Sequence, residues 1–232
     1  MPVPLPPGPV PGTLAALAGS GESTSAAIVR EGRVHFRREP GVARHSLHLV
    51  PLLEALLAEA GLPKSALDAV AFARGPGPFT GGRIVVATAQ GLGLGLDRPL
   101  IPISSLAAAA WTGGGERSAV ALDAGQGEVY WGLFRREEAE MALIGEEEVA
   151  PPETVTAAPG EGPWTGVGGG WGPYGEALQE RLPGPPAAIR ADIDVSADAV
   201  AALGVAPWRR GAVIGPAEAV PTYLRGSYAE RS

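Results

Sequence analysis

The sequence predicts an α/β protein made of two lobes on one plan, each a mixed sheet with flanking helices. Apolar strand patterns alternate with helical patterns between residues 45 and 104, which is typical of parallel strands joined by crossover helices. A strand, turn, strand pattern that starts near residue 13 returns about a hundred residues later, which indicates an internal duplication. The length of 232 residues allows two such lobes.

The elements of the first lobe follow from hydrophobic periodicity. Alternation of apolar and polar residues, interrupted by glycine turns, is typical of strands, and an apolar stretch closed by Gly61 and Pro63 is typical of a helix. We therefore expect three strands over 13–39, a helix over 45–61, a strand over 67–75, a helix over 82–96 and a strand over 98–104.

The second lobe repeats the opening strands and then becomes less regular. Glycine and proline clusters mark its loops. We expect a short helix over 104–111, strands over 118–125, 127–137, 140–151, 164–169 and 187–193, and helices over 174–182 and 196–205. The expected domains are a disordered proline-rich lead over 1–12, an N-terminal lobe over 13–110, a C-terminal lobe over 111–212 and an extended tail over 213–232.

Composition excludes several classes of function. A net charge of −7, with the 18 basic residues scattered along the chain, disfavours direct binding of nucleic acid. The absence of cysteine excludes disulfides, thiolate nucleophiles and cysteine-based zinc sites. The start resembles no secretory signal and no apolar stretch is long enough to span a bilayer, so we expect a cytoplasmic protein without a membrane partner.

A glycine-rich turn, RGPGPFTGGR over 74–83, has the general look of a phosphate site. A P-loop needs a lysine within the loop, but the single lysine, Lys64, precedes the strand. Pro76 and Pro78 lack the N–H groups that would hold an anion. We favour a rigid strand-to-helix turn over phosphate binding, with Thr80 capping the helix. The residues of this structural turn are Gly75, Gly77, Phe79, Thr80 and Gly81.

The two helices of the first lobe have the composition of a contact surface. The helix over 45–61 is apolar around most of its circumference, so it needs a second cover besides its own sheet. In the helix over 82–96, Ala87, Gly91 and Gly95 are four residues apart and share one face. Each helical glycine costs about 1 kcal/mol relative to alanine. The pattern favours close approach of a second helix.

The candidates for catalysis are few. His45 and His48 could share a metal, but a closed site needs more ligands and His35 is the only other histidine, so we expect no metal site. Asp123 ends a strand where a two-lobed phosphotransferase would place a cleft acid, whereas its counterpart in the first lobe is Ala18. We keep Asp123 as a weak cleft candidate and assign no catalytic residue.

Four segments resemble the bacterial TsaB (YeaZ) family. Residues 73–110 are similar to its G-P-G-S-F-T-G-x-R-x-G-x-x-x-A-K-G-L stretch, 45–62 to its H-S-x-x-L-x-P-x-I helix, 121–134 to its A-x-D-A-R-x-G-E-V-Y strand pair, and 216–225 to its P-x-Y-L-R close. The resemblance implies a two-lobed, actin-like (ASKHA) fold. It also implies a role in forming N6-threonylcarbamoyladenosine beside the anticodon of tRNAs that read codons beginning with A.

The resemblance further implies a non-catalytic subunit that dimerises with a TsaD-like transferase through its first two long helices. A TsaE-like ATPase joins the pair, tRNA is met only through the complex, and a homodimer is expected when TsaD is absent. No cofactor of its own is implied, since nucleotide and metal belong to the partner subunits. We expect the partner surface to include His45, His48, Leu49, Leu52, Leu56, Arg83, Ala87, Gly91 and Gly95.

The chain also departs from the family pattern. The first strand has Ala18 where the family has aspartate, the glycine turn has Pro78 in place of serine, and Gln90 replaces the expected lysine. These departures make a catalytic role of this chain less expected. Two alternatives stay open: a stand-alone enzyme of the actin-like ATPase or glycoprotease-type peptidase class, and a homodimeric binding module.

Overall fold

The structure, a computed structural model, describes residues 3–19, 23–41, 45–77, 79–160 and 162–224. The first half contains β1 (Leu14–Gly19), β2 (Ser23–Arg30), β3 (Arg33–Pro40), α1 (His45–Glu59), β4 (Ala69–Ala73), α2 (Phe79–Leu96), β5 (Leu100–Ile103) and α3 (Ser105–Gly113). The second half contains β6 (Arg117–Gly125), β7 (Glu128–Glu137), β8 (Glu140–Ala150), β9 (Thr165–Val167), α4 (Trp171–Gln179), β10 (Ala188–Arg190) and α5 (Ala197–Arg209).

The two halves form two five-stranded mixed sheets with the same topology. The first has the order β3-β2-β1-β4-β5, and the second has the equivalent order β8-β7-β6-β9-β10. In each, the first three strands are antiparallel and the last two run parallel to the first. The α/β class and the duplicated plan expected from the sequence are confirmed.

The first sheet is buried on both faces except at its edge strand β3, which is largely exposed. Along β1, Ala15 and Leu17 belong to the core beneath α1 and α2, whereas Leu14, Ala16 and Ala18 belong to the core beneath α3 and α5. Because strand side chains alternate between faces, a nearly continuous apolar run such as this one satisfies two cores at once. The strand therefore reads as apolar throughout rather than alternating.

Two helices each pack against the sheet formed by the other half of the sequence. Helix α3 packs against β6, β7 and β9 of the second sheet, and α5 packs against β1, β2 and β4 of the first. The two helices also contact each other. The expected boundary at residue 110 falls within α3, and α5 lies with the first sheet although the sequence assigned it to the second lobe. The lobes are consequently interleaved in sequence.

The expectation of a disordered lead is wrong for the described residues 3–12. The Val3 N–H donates to the buried Asp198 carboxylate (2.9 Å), and Arg209 donates to the carbonyls of Pro7 (2.6 Å) and Pro9 (2.5 Å). Val3, Leu5 and Val10 pack against the core between the sheets. Prolines lack donors, but their carbonyls still accept hydrogen bonds, and their restricted φ lowers the entropy lost on ordering.

The chain continues past α5 along the edge of the first sheet. Ile214 exchanges both backbone hydrogen bonds with Leu100 of β5 (2.9 Å each), and a short 3₁₀ turn follows over 216–218. No helix among the described residues combines the length and apolar character needed to cross a bilayer.

Candidate functional site: a helix pair and an interlobe cleft

Helix α1 turns its leucines toward the interior of this chain. Leu49, Leu52 and Leu56 are buried in the core that α1 and α2 share with β4. The assignment of these three leucines to a partner surface is therefore corrected. The apolar circumference of α1 has a cause within the chain, because the helix packs against β2 and β3 on one side and against α2 on another.

The outer side of α1 is polar and partly paired. His48 Nδ1 lies 2.6 Å from a carboxylate oxygen of Glu39 on β3, and both side chains are about half exposed. His45 begins α1, but its side chain lies outside the described part of the chain. Pro51, Glu54, Ala58 and Glu59 are also exposed on α1. No group of three or more metal-ligating side chains occurs among the described residues.

Helix α2 carries a stripe of small residues on its outer side. Ala87, Gly91 and Gly95 are exposed, and the neighbouring Leu94 has 70% of its surface exposed. A Cβ built on Gly91 or Gly95 meets no atom within 4 Å. Packing within this chain therefore does not require glycine at either position, although each costs about 1 kcal/mol in a helix.

Gly93 differs from these two glycines. A Cβ at Gly93 would lie 2.9 Å from Leu100 Cδ2 and 2.9 Å from Pro216 Cγ. Internal packing thus explains the middle glycine of the series and leaves Gly91 and Gly95 unexplained. Of the sequence-based surface, His48 on α1 and Ala87, Gly91 and Gly95 on α2 stay outward, with Leu94 added by the structure. Arg83 is also exposed, but it lies at the start of α2 and lines the interlobe cleft.

The C-terminal segment 219–223, here called the strap, lies along α2. Gln90 Nε2 donates to the carbonyl of Ala219 (2.9 Å), and Arg83 Nε donates to the hydroxyl of Tyr223 (2.7 Å). The Arg83 guanidinium also stands 5.4 Å from the centre of the Tyr223 ring. Sequence reasoning missed this contact, and its only local signals were the glutamine at position 90 and the P-x-Y-L-R motif.

The glycine turn between β4 and α2 is held by backbone bonds from three directions. Arg74 N–H donates to the carbonyl of Ile103, and Arg74 accepts from the Thr222 N–H of the strap (2.8 Å). Gly75 accepts from the Ser105 N–H (3.0 Å) and has a φ of 95°, a conformation that favours glycine. The side chains of Phe79 and Thr80 lie outside the described residues, so the Thr80 cap stays a prediction; Gly77 lines the cleft described next, and Gly81 is buried.

A cleft of about 230 Å³ opens beside this turn, between the two sheets. Asp123 lines it from the end of β6, and its Oδ1 accepts the Gly125 N–H (2.8 Å). Arg74 and Arg83 line it from the first lobe, and Tyr223 of the strap lies at its edge. The weak cleft candidate of the sequence therefore does lie in a cleft, without a histidine in the lining.

A half-buried carboxyl connects the lobes near Arg74. Glu147 of β8 accepts a short hydrogen bond from Ser104, whose hydroxyl also caps α3 by accepting the Ala107 N–H (3.2 Å). Burial raises the pKa of Glu147 above its ordinary value, and the Ser104 bond and the charge of Arg74 oppose the rise. The second sheet thus holds the N-terminus of α3 through one titratable side chain.

Comparison with known proteins gives a consistent set of relatives. Residues 38–168 match the family model described as TsaD, tRNA N6-adenosine threonylcarbamoyltransferase. The chain is 33% identical over 190 residues to a protein of Haemophilus influenzae named tRNA threonylcarbamoyladenosine biosynthesis protein TsaB, covering 76% of this chain and 80% of that protein. The Escherichia coli protein of the same name is 32% identical over 218 residues, covering 90% of this chain and 92% of that one. The chain belongs to the TsaB family.

Solved structures extend the match from sequence to fold. A structure of YeaZ from Pseudomonas aeruginosa is 41% identical, with a TM-score of 0.85 over 92% of this chain and 100% of that chain. The chain also shares part of its sequence with transferases. A tRNA N6-adenosine threonylcarbamoyltransferase of Nitratidesulfovibrio vulgaris is 37% identical over 115 residues, which are 43% of this chain and 32% of that protein. The resemblance stated from the sequence motifs is confirmed.

Proposed function

We propose that this TsaB-family chain is the non-catalytic scaffold subunit of a complex that forms threonylcarbamoyladenosine in tRNA. Its relatives are named for this biosynthesis, and its family model is named for the transferase. The chain works by dimerising with a TsaD-like transferase, and a TsaE-like ATPase joins the pair. It acts in the cytoplasm, meets tRNA only within the complex, and leaves nucleotide and metal to the partner subunits.

The outward face of α2 carries the proposal. Gly91 and Gly95 have no packing role within the chain, yet they stand beside Ala87 on a face that also exposes Leu94. Small residues four apart allow a partner helix to approach the α2 backbone closely. The leucines of α1 support this face from inside by fixing α2 against the sheet. The docking surface is therefore narrower than the sequence indicated.

Arginine substitution on this face tests the proposal. Gly91→Arg places a long charged side chain where a partner helix must approach, so we expect loss of co-purification with a TsaD-like transferase and loss of tRNA modification. Gly175→Arg is the matched control, because Gly175 is also a helical glycine with open space around its Cβ but lies on α4 of the second lobe. The proposal fails if Gly91→Arg forms the complex and supports modification as well as Gly175→Arg does.

Mass measurement of the chain, alone and with a TsaD-like transferase, tests the alternative of a homodimeric binding module. A homodimer that persists in the presence of the transferase and is broken by Gly91→Arg indicates a homodimeric binding module using the same face. Exchange of the homodimer for a heterodimer supports the scaffold role.

A further inference from the structure

The interlobe cleft lies where α/β sheets receive ligands. Its lining comes from the carboxyl ends of β1, β4 and β6, from the start of α2, from residues 191–195 before α5, and from the strap. The carboxyl ends of parallel strands are the usual binding edge in α/β folds, because the loops there diverge and leave a crevice. The position alone does not identify a ligand, but the space, charge and volume of the cleft limit its chemical class.

Glycines keep the cleft open. Gly77 and Gly82 line it around the first turn of α2, and Gly169 lines it from the second lobe just before α4. A Cβ built on any of the three meets no atom within 4 Å. Internal packing therefore does not require glycine at these three points of the lining. Because glycine has no side chain, a bound molecule could come close to the backbone at each point.

The two lobes contribute opposite charges to the lining. Arg74 and Arg83 belong to the first lobe, whereas Asp123 and Asp192 belong to the second. Arg74 and Asp192 are both exposed, and the strap fixes the backbone of Arg74 through the Thr222 N–H. The remaining acid, Asp194, is already bound to Ser23 (3.1 Å) and Arg38 (2.8 Å). The cleft thus has a cationic wall and an acidic wall.

The volume limits the size of the occupant. Cavities of about 150 Å³ hold benzene, whereas sites for drug-sized ligands are about 300 to 1,000 Å³. At about 230 Å³ the cleft falls between these cases. It does not enclose a whole nucleoside triphosphate. A molecule of amino-acid size fits, and one that carries both a carboxylate and an ammonium group satisfies both walls at once.

We propose that the interlobe cleft binds a free α-amino acid, with its carboxylate toward Arg74 and its ammonium group toward Asp192. The ligand joins the two lobes through charge-assisted hydrogen bonds, and the open space at the three glycines receives its side chain and backbone. The proposal is independent of the scaffold role, since it concerns the isolated chain and not the outer face of α2.

Binding to the purified full-length chain tests the ligand class. We titrate the standard amino acids one by one, and acetate, methylammonium, inorganic phosphate and ATP separately, following backbone amide signals by NMR. We expect at least one amino acid to bind at millimolar concentration or better and to shift the amides of Gly77, Gly82 and Gly169. Acetate and methylammonium should each bind at least about ten-fold more weakly, because each meets one wall only.

Paired substitutions test the two walls. Arg74→Gln and Asp192→Asn should each weaken amino-acid binding about ten-fold, the usual effect of losing one charge-assisted hydrogen bond. Arg33→Gln on β3 and Asp97→Asn after α2 are the controls, because both residues are exposed and neither lines the cleft. Thermal unfolding verifies that each variant is folded.

Three results overturn the proposal. The first is that no amino acid shifts the cleft amides of the wild-type chain. The second is that acetate, phosphate or ATP binds as well as the best amino acid, which makes the site a simple anion or nucleotide site. The third is that the two wall variants bind as tightly as the two controls. Wild-type titration decides the first two results even if a wall variant does not fold.

Discussion

Gly91 and Gly93 lie two residues apart on α2, yet alanine at these positions should have opposite effects. At Gly91 the new methyl group meets no atom within 4 Å, so only the helix propensity changes. Alanine then stabilises the isolated chain by about 1 kcal/mol. For a chain of this size, about 1 kcal/mol raises the melting temperature by about 2 to 4 °C.

At Gly93 the same propensity gain meets a steric penalty. The methyl group would lie 2.9 Å from Leu100 Cδ2 and 3.1 Å from the backbone carbonyl oxygen of Arg98, and the carbonyl has little freedom to move. Overpacking of this kind costs about 1 to 3 kcal/mol. The expected net effect at Gly93 is a loss of up to about 2 kcal/mol, and the melting temperature falls.

The stabilising substitution should weaken the complex. If a partner helix approaches the α2 backbone at Gly91, Gly91→Ala adds a methyl group to a close contact and costs about 1 to 3 kcal/mol of binding, which is about five-fold to more than a hundred-fold in affinity. Thermal unfolding and titration with the TsaD-like transferase measure the two quantities separately. The reasoning is refuted if Gly91→Ala destabilises the isolated chain, or if it stabilises the chain and leaves the affinity unchanged.

Two further predictions concern the junctions of the fold. Burial raises the pKa of the Glu147 carboxyl in the folded chain above its ordinary value of 4.5. As pH rises, the carboxyl therefore loses its proton more readily in the unfolded chain than in the folded chain. The free energy of unfolding then falls as pH rises through the pKa of the folded chain. The stability advantage of Glu147→Gln over the wild type should therefore grow from pH 4 to pH 8 in urea unfolding; an advantage independent of pH would contradict this. Arg209→Ala removes two hydrogen bonds to the lead and should destabilise the chain by about 1 to 3 kcal/mol, with faster amide exchange at Val3, Leu5 and Val10. Arg210→Ala removes only an exposed ion pair with Glu140 and should leave amide exchange at these three residues unchanged. Equal amide exchange in the two variants would show that Arg209 does not hold the lead in place.

Local patterns predicted the strands, the helices and their duplication because periodicity is a property of neighbouring residues. The same reasoning identified Ala87, Gly91 and Gly95 as one face of α2, and the structure places all three outward. The same reasoning failed where an apolar surface is buried by an element that is distant in the sequence. The sequence predicted a partner contact for Leu52 because it does not show that β2 and α2 already pack against α1.

The strap and the lead were missed for a similar reason. Gln90 and Ala219 are 129 positions apart, and Arg209 and Pro7 are 202 positions apart. Each contact depends on a side chain meeting a backbone carbonyl, which every residue type possesses, so no residue pattern reports it. A proline-rich composition indicates low helix and strand content, but it does not exclude ordered, extended chain on a surface.

The duplication of the fold is incomplete at one point. Helix α1 connects β3 to β4 in the first half, whereas the equivalent connection from β8 to β9 contains no helix among its described residues, 151–160 and 162–164. A perfect duplication would present two equivalent helix pairs on opposite sides of the molecule, and such a bivalent unit could join others into an open filament. Among the described residues the pair exists once. In the complex proposed above, association through this pair would therefore end at two chains, because the second lobe lacks the equivalent helix.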